Sequence, residues 1–150
     1  MLAQAEARRQ KRNYVGNEHV LLGLIAIDST DFKNRHYDGV PFGIASEALA
    51  NTRVSLNAVR AEVDKIDPVR TSVAVEIPFT PRCKKLLERS WEVADELGDK
   101  LVDTEHLLIA FLDDQESAGY NILRWLNLDI DALRAEIFRL KGETQNHNAT

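Results

Sequence analysis

The chain contains the same short pattern twice. Residues 14–22 read YVGNEHVLL and residues 101–109 read LVDTEHLLI, so Glu18 and Glu105 lie 87 residues apart at the same place in the pattern. A second matched pair, LNAVRAEV at 56–63 and IDALRAEI at 130–137, follows in the same order at a separation of 74 residues. Duplication at this spacing is typical of a repeated unit whose copies pack on each other. We therefore expect two copies of one small structural unit.

Apolar residues recur at helical spacing at the end of each copy. The two stripes are formed by Leu56, Val59, Val63 and Ile66 in the first copy and by Ile130, Leu133, Ile137 and Leu140 in the second. This spacing predicts an amphipathic helix. Ser55 and Asp129 precede these helices and are predicted as N-caps, because their side-chain oxygens can accept a hydrogen bond from an unpaired amide.

The middle of each copy is more uniformly apolar. Residues 20–27 and 107–112 are apolar almost all round, which predicts central buried helices, with Asn17 and Thr104 as their starts. These two helices are expected to form the core.

A third helix start is visible at Thr80-Pro81. Thr80 is a good cap and Pro81 a good first residue, and the helix is predicted to reach Leu97 before Gly98. At the 87-residue offset Met1 corresponds to Glu88, so the first copy has no counterpart to residues 79–87. Its opening helix is expected to be about half as long.

The two copies also differ in the length of one loop. The offsets of 87 and 74 differ by 13 residues, which we place in a predicted surface loop at residues 28–42. The predicted organisation is a first repeat at 1–66, a linker at 67–78, a second repeat at 79–141 and a polar, disordered tail at 142–150. Alternating apolar residues in the linker predict that it lies extended against the helices.

Composition excludes several classes of function. The chain has 150 residues, a net charge of -5 and a pI near 5.4, which disfavours nonspecific nucleic-acid binding because such binding needs basic clusters. The single cysteine, Cys83, excludes an intramolecular disulfide and fits a reducing compartment. No secretory signal and no membrane-spanning segment is recognisable. A cytoplasmic location is predicted.

The motifs together resemble the N-terminal domain of the Clp (Hsp100) chaperones, especially the ClpC type. The most specific match is VAVEIPFTPR at residues 73–82, which is similar to the inter-repeat segment of that family. The EHVLLGL run from Glu18 and the TEHLL run from Thr104 also match, and the similarity extends over about residues 1–141. The resemblance implies an all-α fold of two four-helix repeats related by a pseudo-twofold axis.

The resemblance also implies a function. The family domain docks adaptors or substrates for an attached ATPase, yet no glycine here begins a GxxxxGK[ST] nucleotide-binding motif. The leading hypothesis is a non-enzymatic module that binds substrate proteins, adaptors, or Clp ATPase or protease subunits in trans, without a cofactor, nucleic acid or membrane. The alternative is an N-terminal substrate-recruitment fragment of a ClpC-type ATPase. A small helical hydrolase or metal enzyme is the remote alternative.

Three site residues follow from the resemblance. In the ClpC type each repeat is associated with phosphoarginine recognition, and the matching positions are Thr80 and Glu105 in the second repeat and Glu18 in the first. A helix start at Thr80 suits a phosphoryl group and a carboxylate suits a guanidinium. One pocket centred on Thr80 and Glu105 is predicted, with the first-repeat pocket impaired. The alternative is that both glutamates only stabilise the first turns of their helices.

Other reactive residue types carry weaker signals. His19 and His106 repeat with the pattern, and neither has a second histidine four residues away, which favours a structural role over a metal site. Cys83 is expected to have a packing or surface role, although a helix start and Arg82 could lower its pKa somewhat. The two tryptophans, Trp91 and Trp125, are predicted to be partly buried anchors.

Overall fold

The computed structural model describes residues 2–26, 43–66 and 77–148. These residues form eight α-helices and no strand longer than one isolated bridge, so the predicted all-α fold is confirmed for this part of the chain. The helices are α1 (Leu2–Arg9), α2 (Asn17–Ala26), α3 (Ile44–Asn51), α4 (Leu56–Asp64), α5 (Pro81–Glu96), α6 (Thr104–Asp113), α7 (Ala118–Trp125) and α8 (Ile130–Asn148).

The predicted caps at three helix starts are confirmed. The hydroxyl of Ser55 accepts from the Ala58 amide at 3.3 Å, and the carboxylate of Asp129 accepts from the Ala132 amide at 3.0 Å. The Thr80 hydroxyl accepts from the Cys83 amide at 3.1 Å, with Pro81 as the first helical residue. Each bond satisfies an amide that has no partner within its helix.

The backbone conformation at the helix ends is also the same in the two copies. Positive φ angles occur at Lys11 (58°) and Gly98 (73°), which occupy matching positions after α1 and α5. They occur again at Arg53 (64°) and Asn127 (58°), which match each other after α3 and α7. Left-handed backbone commonly ends a helix, although only Gly98 adopts it without a Cβ penalty. The two copies therefore share their turns as well as their helices.

The packing of the helices follows a pseudo-twofold axis. Within each copy the first helix packs on the second, α1 on α2 and α5 on α6. Between copies α3 packs on α8 and α7 packs on α4, while α2 contacts α7 and α6 contacts α3. Each of these four contacts between copies is thus matched by its exchange partner, and α2 also contacts α6, its own equivalent. Two identical subunits make reciprocal contacts of this kind across a twofold axis, and here the two copies within one chain make them.

The two central helices form the core as predicted. Every residue of α2 is buried, and seven of the residues of α6 are buried. Gly23 in α2 permits the close approach of α1, because a Cβ there would lie 3.0 Å from the backbone nitrogen of Ala3. The opening helices differ in length as predicted, with 8 residues in α1 and 16 in α5.

Two predictions were wrong. The tail from residue 142 was expected to be disordered, but α8 continues to Asn148, supported by an ion pair of 2.6 Å between Arg139 and Glu143 one turn apart. Trp91 and Trp125 were expected to be partly buried, but they are 68% and 63% exposed. Trp91 misses the buried face of α5, which is lined by Cys83, Leu86, Ser90, Val93 and Ala94.

Two predicted segments lie mainly outside the described residues. The proposed surface loop at 28–42 is one, and positions 67–76 of the linker are the other. The described end of the linker does lie extended against the helices. Ile77 is buried against Ala7 and Val15, and Phe79 forms a parallel bridge with Val15.

Candidate functional site

The bridge between Val15 and Phe79 places two helix starts side by side. The amide of Val15 donates to the carbonyl of Pro78 at 2.8 Å, and the amide of Thr80 donates to the carbonyl of Val15 at 2.9 Å. The two segments run parallel, and α2 and α5 begin immediately after them. The positive ends of two helix dipoles therefore lie side by side.

Thr80 contributes one side of this site. Its backbone is tied to Val15 and its hydroxyl caps α5, so the residue is fixed at both ends. The following Arg82 pairs with Asp114 at 2.7 Å, and Asp114 also accepts from the side-chain amide of Asn17 at 3.4 Å. The side-chain oxygen of Asn17, Oδ1, is buried without a hydrogen-bond partner. The sequence pattern indicated only a helix start at Asn17.

Glu18 contributes the other side. Its side chain lies in the first turn of α2, and the residue is only 7% exposed. Burial raises the pKa of its carboxyl group, while a backbone hydrogen bond and the positive charge of Arg12 oppose that rise. Gly16 leaves room for this carboxylate, because a Cβ there would lie 2.4 Å from one of its oxygens. The fold thus holds a buried acid beside Thr80.

Glu105 occupies the matching position in the second copy but has different surroundings. It is 6% exposed, with one carboxylate oxygen 3.5 Å from the ammonium of Lys141. The other oxygen is buried and has no hydrogen-bond partner. Lys141 also pairs with Asp99, and the hydrogen bonds from Lys141 and His106 lower the pKa of Asp99. A buried carboxylate oxygen without a donor is energetically costly.

The structure does not bring Thr80 and Glu105 together, as the predicted pocket requires. The helices α5 and α6 run antiparallel. Arg82, near the start of α5, contacts Asp114 just after α6, and Asp99, just after α5, contacts His106 in the first turn of α6. Thr80 and Glu105 therefore lie at opposite ends of this helix pair. The 10 residues of α6 span about 15 Å. Thr80 instead bonds through its backbone to Val15, three residues before Glu18 of the first copy. The sequence alone does not indicate the contact between Thr80 and Val15, because the two residues lie in different repeats, far apart in the chain.

A groove between α5 and α6 continues from this site. It has a volume of about 580 Å³ and is lined by Pro81, Arg82, Lys85, Leu86, Arg89, Ala110, Asp113 and Asp114. Arg82 and Arg89 are paired with the acids of the groove, whereas Lys85 makes no ion pair with the described residues. An anionic group of a partner would find a free cation and a helix start here.

The repeated histidines have a structural role, as predicted. Nδ1 of His19 accepts from the Gly16 amide at 2.9 Å and Nδ1 of His106 accepts from the Asp103 amide at 2.8 Å. Asp103 in turn caps α6, which completes a capping box with histidine in the position usually held by glutamate. The cap therefore lies one residue before the predicted Thr104. The sequence signal for these two caps was the recurrence of a histidine three residues after Gly16 and after Asp103.

Cys83 packs in the core as predicted, and its pKa is raised instead of being lowered by the helix start and Arg82. The residue is fully buried. Burial, followed by the negative charge of Glu18, raises the pKa of the thiol to about 11. A thiol with so high a pKa is a poor nucleophile at neutral pH. Among the residues that the structure describes, no three histidine, cysteine or acidic side chains are grouped so as to hold a metal ion.

Comparison with known proteins identifies the family. Residues 39–126 match the model of the Clp repeat N-terminal domain. The chain is 42% identical over 151 residues to the ClpA homologue, an ATP-binding subunit of the ATP-dependent Clp protease, of Guillardia theta, covering 100% of this chain and 17% of that protein. It is 40% identical over 150 residues to the chloroplastic chaperone ClpC1 of Arabidopsis thaliana, covering 99% of this chain and 15% of that protein.

Two solved structures share the fold. The N-terminal domain of the chaperone ClpD from Arabidopsis thaliana superimposes with a TM-score of 0.67 at 20% identity, covering 92% of this chain and 88% of that one. The N-terminal domain of Hsp104 from Candida albicans gives a TM-score of 0.66 at 17% identity, covering 94% of this chain and 85% of that one. In the described part of the chain, no helix is both long and apolar enough to cross a bilayer. The chain belongs to the Clp N-terminal repeat domain family.

Proposed function

We propose that this chain is a non-enzymatic protein-binding module of the Clp system, docking substrate proteins, adaptors or Clp subunits in trans. The observation that carries the proposal is the match of nearly the whole chain to the N-terminal regions of Clp ATPases, of which it spans only about a sixth. The described residues offer grooves and helix faces for partners, and the potential nucleophile Cys83 is buried with a raised pKa. Several of the relatives are chloroplastic, so the predicted cytoplasmic location remains a prediction.

An exposed apolar pair on α5 supports a docking role. Leu87 and Trp91 lie one turn apart on the same face, and Trp91 projects most of its ring into solvent. Tryptophan is enriched among the interface residues that carry most of the binding energy. Trp125, on α7, is similarly exposed and provides a matched control.

Capture from native lysate tests this role. The immobilised chain is expected to retain Clp ATPase or protease subunits, identified by mass spectrometry. Trp91→Ala is expected to reduce their recovery at least tenfold, the loss typical of a central interface residue, whereas Trp125→Ala is expected to leave recovery within twofold. Circular dichroism verifies that both variants are folded. Absence of every Clp subunit from the wild-type eluate would contradict the proposed function.

The alternative is that the same domain serves as the substrate-recruiting end of a ClpC-type ATPase. The relatives support this alternative directly, because each continues well beyond the matched region. Sequencing of the gene on both sides of the region encoding residues 1–150 separates the two. In-frame ATPase motifs after Thr150 would favour the fragment.

We further propose a phosphoarginine-type ligand site at Thr80 and Glu18, with Glu105 in a separate, incomplete site. The start of α5 would receive the phosphoryl group, and the Glu18 carboxylate would pair with the guanidinium. Proximity of Thr80 to the first turn of α2 supports this pairing over that of Thr80 with Glu105.

Two isosteric variants test this assignment. Glu18→Gln is expected to weaken binding of free phosphoarginine about tenfold or more, because a charge-assisted hydrogen bond is lost. Glu105→Gln is expected to change it less than twofold. Amide chemical shifts at pH 8, followed at Thr80, report binding. A larger loss in Glu105→Gln than in Glu18→Gln would refute the pairing, and an unmoved Thr80 signal would refute the site.

A further inference from the structure

The pseudo-twofold axis relates a covered backbone edge to an uncovered one. In the first copy, residues 77–80 lie along Val15, occupy both of its backbone hydrogen-bonding groups and leave its side chain 0% exposed. At the 87-residue offset, Val15 corresponds to Val102 and Tyr14 to Leu101. Both segments lead into a buried central helix through the same histidine cap.

No segment among residues 2–26, 43–66 and 77–148 covers the second-copy edge in this way. Within the part of the chain that the structure describes, neither the amide nor the carbonyl of Val102 makes a hydrogen bond. Val102 is partly buried, whereas Val15 is fully buried. Leu101 is 80% exposed, the highest value among the exposed large apolar side chains of the described residues. Three residues beyond Val102, one oxygen of Glu105 is buried without a donor. An exposed backbone edge with apolar neighbours is a template for an added strand.

We infer that residues 101–103 form a docking edge for an extended peptide from a partner polypeptide, which adds in parallel as residues 77–80 do on Val15. Its central aromatic residue takes the place that Phe79 holds opposite Val15. Backbone groups on either side of that residue pair with the amide and the carbonyl of Val102. This is recognition by strand addition, in which backbone hydrogen bonds give affinity and alternate side chains give selectivity.

The chemistry of the occupant follows from the covered edge. On that edge Ile77 is buried against Ala7 and Val15, and Phe79 packs beside it. Ala94 holds the position of Ala7 in the second copy, so the small apolar contact is kept. A segment with an aliphatic residue, one intervening residue, an aromatic residue and a hydroxyl residue therefore suits the edge. A second copy is disfavoured as occupant, because its own residues 77–80 are engaged on its Val15.

A synthetic peptide with the sequence of residues 73–82, VAVEIPFTPR, is the probe. Added to the isotope-labelled chain, it is expected to shift the amide signals of Leu101, Val102 and Asp103 and to slow hydrogen exchange at Val102. A peptide methylated on the amide nitrogen of its threonine keeps every side chain but cannot donate to the Val102 carbonyl. It is expected to bind about two- to tenfold more weakly, the effect of one net hydrogen bond.

Three outcomes would overturn the inference. The first is no shift at Leu101 to Asp103 up to millimolar peptide. The second is equal binding of the methylated and unmethylated peptides. The third is protection of Val102 in the free chain that grows with protein concentration, which would identify a second copy as the occupant. The inference refines the proposed protein-binding role, yet the peptide experiment needs no Clp subunit, so its failure is distinguishable from failure of the lysate capture.

Discussion

Phe111→Ala is expected to lower the free energy of unfolding by about 3–5 kcal/mol, the usual cost of removing a buried phenylalanine side chain. Phe111 lies in α6 and is the largest of the fully buried side chains among the described residues. Its ring touches Gly119 at the start of α7, where an added Cβ would lie 2.5 Å from the ring. The ring therefore fills the space that this glycine leaves, and its removal opens a cavity between two helices.

The matched control is Phe138→Ala. Phe138 lies on α8 and is 47% exposed, so its truncation is expected to cost about 1 kcal/mol or less. Urea unfolding followed by far-ultraviolet circular dichroism is the measurement. Tryptophan fluorescence is a poorer probe here, because Trp91 and Trp125 are largely exposed in the folded chain. Similar losses for Phe111→Ala and Phe138→Ala would contradict the packing described.

Gly119→Ala provides an internal check on the same contact. Alone, this change is expected to destabilise, because its methyl group collides with the Phe111 ring. In the double variant with Phe111→Ala, the methyl group enters the vacated space, so the two costs are expected to be less than additive by about 0.5–3 kcal/mol. Strict additivity would show that the two residues are not in contact.

Much of the fold was predictable because its signals are local. The caps at Ser55, Thr80 and Asp129 depend on residues three positions apart, and the buried runs of α2 and α6 are continuous in sequence. The duplication then indicated which helix of the first copy corresponds to which helix of the second. The exposure of Trp91 was missed because helical periodicity locates an apolar face only to within about one residue on either side.

The site was harder to predict because its contacts are long-range. Thr80 and Glu105 belong to one repeat, and nothing local indicates that Thr80 bonds to Val15, near Glu18 of the other repeat. That arrangement depends on a single bridge between Val15 and Phe79. The repeat pattern identified which residues of the two copies are equivalent. It did not identify which residues of the other copy they contact, because those contacts join positions far apart in the sequence.

Acidification is expected to reduce stability through His19. The ring is fully buried, with Nδ1 accepting from the Gly16 amide and Nε2 at 2.7 Å from the Gln10 side-chain oxygen. These partners require the neutral ring with its proton on Nε2. Burial, followed by the positive charge of Arg12, lowers the pKa of His19 to about 4, although the negative charge of Glu6 opposes the shift.

The sign of the pH dependence follows from proton binding. Between pH 6.5 and about 4 the unfolded chain binds a proton at His19 that the folded chain does not, so the contribution of His19 is complete above pH 6.5 and is lost as the pH falls toward 4. The total loss is roughly 3 kcal/mol, from about 1.4 kcal/mol per unit of pKa shift. The raised pKa of Glu18 acts in the opposite direction, since its folded form binds the proton more readily.

His19→Asn isolates this contribution. The asparagine oxygen can accept from the Gly16 amide but does not titrate, so the variant is expected to be less stable at pH 7.5 and to lose less stability on acidification. Urea unfolding of both proteins at pH 7.5, 6.5, 5.5 and 4.5 gives the difference between them, in which the titration of the shared carboxylates, including Glu18, largely cancels. The wild-type advantage should shrink by about 2–3 kcal/mol over this range, most of the full loss. An advantage that stays constant with pH would mean that the buried ring accepts a proton as easily in the folded chain as in the unfolded one.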